Sequence, residues 1–172
     1  EFPVYKFADI NMLSKQYSQD FKGMIKAILE IEAPLSEEFL LKRIAPLFGR
    51  EKVTNFVYEI YKQKMFGYQC YDIIRENGFL YLKNGKDIQF RCAGDDGKRD
   101  IKQIAPEELA AGMFEILKQN VSADKNGLYH DLAIQCGVTR TGKAINETMD
   151  SALNLLIRKG KVILDDGRIS IR

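Results

Sequence analysis

The apolar pattern of this chain of 172 residues runs through one order of periods twice. Apolar residues at i, i+3, i+4 and i+7 mark amphipathic helices, and short β-prone runs between turn residues mark strands. Three helical patterns and a hairpin signal occupy the first half, and the same order returns in the second. Gly23-Met24 answers Gly112-Met113 at a shift of 89, and Gly49 answers Gly137 at a shift of 88. Ile44-Ala45 matches Leu132-Ala133 at the second shift. Duplication of one supersecondary unit accounts for the glycines, the apolar stripes and the terminal hairpin together. The expected fold is α+β and mainly helical: a tandem winged helix, three helices plus a β-hairpin, duplicated.

In the first half, Phe21, Met24, Ile25, Ile28 and Leu29 share a helical face, and Glu32-Ala33-Pro34 ends that helix because the residue before proline is driven out of helical geometry. Ser36 is the expected N-cap of a second helix, with Glu37 and Glu38 favoured by the dipole in its first turn. Leu40, Leu41, Ile44, Leu47 and Phe48 form its buried face, and Gly49 stops it. A third helix is expected over 51–65, burying Val53, Phe56, Val57 and Ile60. Asn77-Gly78 and Asn84-Gly85 read as hairpin turns between strands at 68–74, 79–83 and 88–92. Asp95-Asp96-Gly97-Lys98 reads as a linker.

In the second half, Pro106 opens a helix with Glu107 and Glu108 in its first turn and a stripe of Leu109, Met113, Ile116 and Leu117. A second helix carries Leu128, Leu132 and Ala133. A third carries Ile145, Met149, Ala152, Leu153 and Leu156, and a hairpin turns at Asp165-Asp166-Gly167. Residues 1–17 have no clean period and read as an N-terminal arm or linker. The expected division is therefore 1–17, then winged-helix-like units at 18–98 and 99–172.

Charge is nearly balanced, with 26 basic and 24 acidic residues, so nucleic acid binding requires clustered cations. Cys70, Cys92, Cys136 and the single His130 lack the close spacing of a zinc site. No metal or other cofactor is expected. Reduced thiols suit a cytoplasmic protein, and neither a membrane span nor a signal peptide is visible. The opening Glu1-Phe2-Pro3 reads as a piece of a longer protein. Gly137-Val138-Thr139-Arg140-Thr141-Gly142-Lys143 fits a phosphate-binding loop until Ala144 replaces the Ser or Thr that ligates Mg²⁺, and no strand precedes it. No nucleophile–base pair can be assembled around His130, so the chain is not expected to be an enzyme.

The same glycine-flanked segment suits a helix-turn-helix corner, where the start of the third helix enters the major groove and the turn meets phosphate. Thr139, Arg140, Thr141, Lys143 and Asn146 are the candidate DNA or RNA contacts there, with Lys161 and Arg168 on the hairpin. Arg50, Lys52 and Asn55 occupy the equivalent corner of the first half. Tyr68, Tyr71 and Tyr81 could stack on single-stranded bases. A solvated charged helix face explains the cations equally simply, and tyrosines in strands are more often half-buried sheet residues with a wet hydroxyl.

Gly23-Met24-Ile25, Ile31-Glu32-Ala33-Pro34-Leu35, Leu41-Lys42-Arg43-Ile44-Ala45 and Phe48-Gly49-Arg50 resemble a bacterial domain of unknown function. That domain lies at the C-terminus of large superfamily-one DNA/RNA helicases, commonly after a restriction-endonuclease-like domain. Ile104-Ala105-Pro106-Glu107-Glu108-Leu109 and Gly137-Val138-Thr139-Arg140-Thr141-Gly142 are similar to its second half. The resemblance implies a multidomain, ATP-driven parent and supplies no catalytic residues. The first unit lacks the Arg140-Thr141-Gly142 of the second, so the two need not do the same work. The expected role is a non-catalytic accessory module that binds nucleic acid. A protein-interaction module docking on the parent enzyme or a partner is the alternative.

Overall fold

A computed structural model describes residues 1–66, 72–95, 98–139 and 142–172. Its contacts divide the chain into a first unit, Lys6–Lys86, and a second made of Asp87–Arg172 with Glu1–Tyr5. The fold is α+β and mainly helical, with seven α-helices and two three-stranded antiparallel sheets among the described residues.

The first unit begins with α1 (Ile10–Gln16) and α2 (Phe21–Glu32), whose starts are capped by the carboxylates of Asp9 and Asp20. Strand β1 (Leu35–Ser36) leads into α3 (Glu37–Ile44) and a 3-10 turn, Ala45–Phe48. Helix α4 (Asn55–Phe66) follows, then the hairpin β2 (Ile73–Glu76) and β3 (Phe79–Leu82). The strand order is β1-β3-β2, with Leu35 opposite Leu80. Ile25, Ile28, Leu40, Ile44, Tyr61 and Leu80 are fully enclosed in its core.

From α2 onward the second unit repeats the order of α-helices and strands. After a 3-10 turn, Ile101–Gln103, come α5 (Pro106–Asn120), β4 (Ser122–Asp124), α6 (Lys125–Gln135) and α7 (Lys143–Arg158). The hairpin β5 (Val162–Asp165) and β6 (Arg168–Ile171) closes it, with strand order β4-β6-β5. Its core holds Leu109, Met113, Leu117, Leu132, Met149 and Ile169.

Corresponding residues do the same local work. Ser36 and Asp124, 88 apart, each end the first strand of their sheet and accept a hydrogen bond from the backbone N–H three residues on. Gly49 and Gly137 both adopt a left-handed φ, 69° and 76°, after the second helix of the repeating order. Both hairpins turn on two residues of positive φ, Asn77-Gly78 and Asp166-Gly167, the conformation that matches the twist of the flanking strands.

Several expectations are corrected. Residues 1–17 are no simple arm, because 10–16 form α1 and 1–5 pair with 87–172. Tyr5 N–H donates to the Cys92 carbonyl at 3.0 Å, Cys92 N–H donates to the Pro3 carbonyl at 2.8 Å, and Phe2 lies edge-on to Phe90. Residues 88–92 form no strand beyond a single parallel bridge of Val4 and Cys92, so Asn84-Gly85 is not a hairpin turn. Phe90 is instead buried under α5, which puts residues before the expected boundary of 98 into the second core. Helix α4 starts at Asn55 rather than near 51. Val53 therefore precedes it, and Leu47, Val53 and Phe56 are exposed rather than buried. Of the strand expected at 68–74, only its end lies in β2, and 68–71 fall outside the described residues.

Candidate functional site

The start of α4 is set by Thr54, whose hydroxyl accepts from the Val57 N–H at 3.4 Å. Val57, Tyr61 and Met65 recur every four residues and fix the buried stripe. Phe56 is one residue, about 100° of helical rotation, off that stripe and stays 51% exposed. Arg50, Lys52 and Asn55 are exposed in the segment before it, and the Arg50 guanidinium lies 5.1 Å from the centre of the Phe56 ring. Further along α4, Lys62 pairs with Glu59 at 2.9 Å, and Lys64 lies over Phe21. The Glu59 hydrogen bond raises the Lys62 pKa, so that cation is already matched by an anion.

In the second unit Gly142 precedes α7 and offers no side-chain cap, while Lys143 is exposed as the first helical residue. A cation there opposes the helix dipole, which favours anions at an N-terminus. Thr139 is exposed on the approach and Asn146 is half-buried one turn in. Arg140 and Thr141 lie outside the described residues. The hairpin candidates are placed less favourably for phosphate. Lys161 is exposed but sits 5.1 Å above the Phe114 ring. Arg168 donates to the Ser122 hydroxyl at 3.0 Å and stands opposite both Asp124 and Asp165 in the sheet. The tip it flanks is acidic, Asp165-Asp166, and the exposed strand residues before it are Ile163 and Leu164. Tyr81 is half-buried in β3, whereas Tyr68 and Tyr71 are outside the described residues.

Charge separates the units more sharply than the whole chain suggests. Residues 6–86 hold 13 basic and 10 acidic residues, and the remainder holds 13 and 14, giving formal charges of +3 and −1. Among the described residues, none of Arg50, Lys52 and Lys143 is ion-paired to a carboxylate.

The helix dipole is an incomplete account of the first-turn glutamates. Glu108 is fully buried, and both of its oxygens accept from Arg91 and Arg99, at 2.6–3.2 Å. Glu37 is buried beneath Arg75, which also donates to the Tyr58 hydroxyl. Glu32, enclosed at the end of α2, accepts from Arg43 and from the Ala8 N–H. Such carboxylates hold structure together and have no free face for acid–base chemistry. The sequence signal for them was weak, since none of their arginine partners lies within one helical turn.

Burial pushes the Cys136 thiol up to about 12, beyond the range of a reactive thiolate. His130 is exposed on α6. Among the described residues no three His, Cys, Asp or Glu side chains are grouped to hold a metal, and no helix is long and apolar enough to cross a membrane. A cleft of about 330 Å³ in the first unit is lined by Tyr17, Phe21, Phe48 and Lys64 among others. No family model, curated protein or solved structure matches the chain.

Proposed function

We propose that the chain is a tandem winged-helix module that binds nucleic acid as a non-catalytic accessory of a larger helicase- or nuclease-type protein. The observation that carries this reading is the shared order of helices and strands. In each unit exposed cationic or amide side chains stand at the start of the third helix of the repeating order or just before it: Arg50 and Lys52 ahead of α4 with Asn55 as its first residue, and Lys143 as the first residue of α7. In helix-turn-helix proteins that helix start enters the groove while flanking hydroxyls and backbone amides meet phosphate. The resemblance to the helicase-associated domain supports the multidomain setting, and the reduced cysteines suit a cytoplasmic one.

The charge division gives the first unit the larger electrostatic share. Anisotropy titrations of labelled oligonucleotides at several salt concentrations test it. Each lost phosphate contact lowers the slope of log affinity against log salt by about 0.7–0.9, so Arg50→Glu with Lys52→Glu should flatten it by nearly two. Arg140→Glu with Lys143→Glu should act in the same direction. Wild-type protein that binds no oligonucleotide at about 50 mM salt, where phosphate contacts are strong, rules the reading out.

One observation favours protein docking for part of the surface. Ile163 and Leu164 are 44% and 45% exposed beside Asp165-Asp166, an apolar and acidic hairpin unsuited to phosphate. On this second reading the hairpin of the second unit contacts the parent protein. Ile163→Ser with Leu164→Ser would then leave oligonucleotide affinity unchanged while weakening association with the remainder of the parent.

A further inference from the structure

The two third helices can be compared position by position, because α4 and α7 both begin at a shift of 88 and bury Tyr61 and Met149 at that same shift. On this register the exposed Phe56 corresponds to the exposed Ala144, and Asn55 corresponds to Lys143. The first unit thus carries an aromatic ring at the helix start, where the second carries a methyl group and a cation. The ring is 51% exposed, with the Arg50 guanidinium 5.1 Å from its centre and Lys52 exposed four residues earlier in the chain. An exposed ring costs solubility and gains the core nothing, since Val57, Tyr61 and Met65 already fill the buried stripe.

We infer that Phe56 is a stacking platform for an unpaired nucleobase, with Arg50 and Lys52 holding the adjoining phosphates, so that the first unit selects single-stranded nucleic acid. This inference rests on the nucleic acid reading above, and for the first unit it replaces groove entry by the helix start with contact to an unpaired strand. Aromatic rings bind single strands because every base has a π-face, and neighbouring cations follow the backbone without reading sequence. A guanidinium beside the ring suits this arrangement, because it can contact phosphate while adding a cation–π contribution. In an intact duplex the bases are stacked on one another, so the ring has no base face to meet. The adjacent cations also set this patch apart from an apolar protein contact.

The test uses the full chain and two labelled probes, an oligothymidylate of about 15 nucleotides and a blunt duplex of equal length. Phe56→Ala should lower affinity for the single strand by roughly five- to a hundredfold and leave the duplex nearly unaffected. Phe56→Trp should restore it. The chain contains no tryptophan, so the introduced indole is its only one and should be quenched by the single strand and not by the duplex. Melting curves for both variants should match wild type, as befits an exposed position. Unchanged single-strand affinity in Phe56→Ala, or equal losses on both probes, overturns the stacking platform while leaving nucleic acid binding intact. A Phe56→Ala protein that merely loses self-association marks the ring as a protein contact and also overturns it. Wild-type protein that binds neither probe removes the nucleic acid reading itself.

Discussion

Arg99 donates two hydrogen bonds to Glu108, at 2.6 and 3.1 Å, and its guanidinium also lies 3.9 Å from the centre of the Tyr5 ring. Arg91 grips the same carboxylate and lies over the same ring. One buried carboxylate thus binds two nearly buried guanidinium groups and ties α5 to 91–99, while the Tyr5 ring lies against both cations.

Removing that anion should be costly. Glu108→Ala leaves two arginines without their partner, and breaking a buried ion pair from one side typically costs about 3–5 kcal/mol. Glu107→Ala, the neighbouring change at a half-buried position, should cost much less. Urea denaturation of the two variants makes the comparison. A small loss in Glu108→Ala would mean that water enters beside Arg99.

Gly112 tests whether Phe90 belongs to the second core. A Cβ placed there would meet Leu132 Cδ1 at 2.6 Å and Phe90 Cγ at 2.7 Å. Gly112→Ala should therefore destabilise by roughly 1–3 kcal/mol through overpacking, despite the better helix propensity of alanine. Shortening Phe90 to leucine in the same chain should recover part of the loss. Additive losses in the double variant, by thermal or urea unfolding, would show that the two residues do not share a cavity.

Asp150 carries a pH dependence of defined sign. Its carboxylate accepts from Lys125 at 2.7 Å and from the Tyr129 hydroxyl, and these bonds hold its pKa below the ordinary carboxylate range. A pKa lowered by folding contributes stability above the unfolded value, near 3.9, and loses it as pH falls through the folded value. Asp150→Asn should therefore be less stable than wild type at neutral pH, and the difference should shrink below about pH 4. The pair is 44% and 41% exposed, so the difference should stay within about 1 kcal/mol. Denaturation midpoints measured from pH 7 down to pH 3 would reveal a constant gap if the coupling were absent.

Local signals carried most of the order of elements. The stripe Leu109, Met113, Ile116 and Leu117 is buried as its spacing requires, Pro106 is the first residue of α5, and Ser36 caps α3. Asn77-Gly78 and Asp166-Gly167 turn their hairpins because both residues of such a turn need positive φ. Asn84-Gly85 has the same chemistry without a second strand to pair. A turn signal states what the backbone can do at two residues, and pairing requires a partner elsewhere.

Local sequence was enough for the type and order of the repeated helices and the two hairpins, for the Ser36 cap, the two working turns and the place of the matched glycines, because each depends on residues within a turn or two of one another. Packing settled the rest: that residues 1–5 and Phe90 join the second unit, that Glu108 serves two arginines, and that Phe56 faces solvent. The first two depend on partners far apart in the chain. The third depends on rotational phase: one residue of displacement along α4, about 100°, separates the stripe that packs inward from the ring left outside.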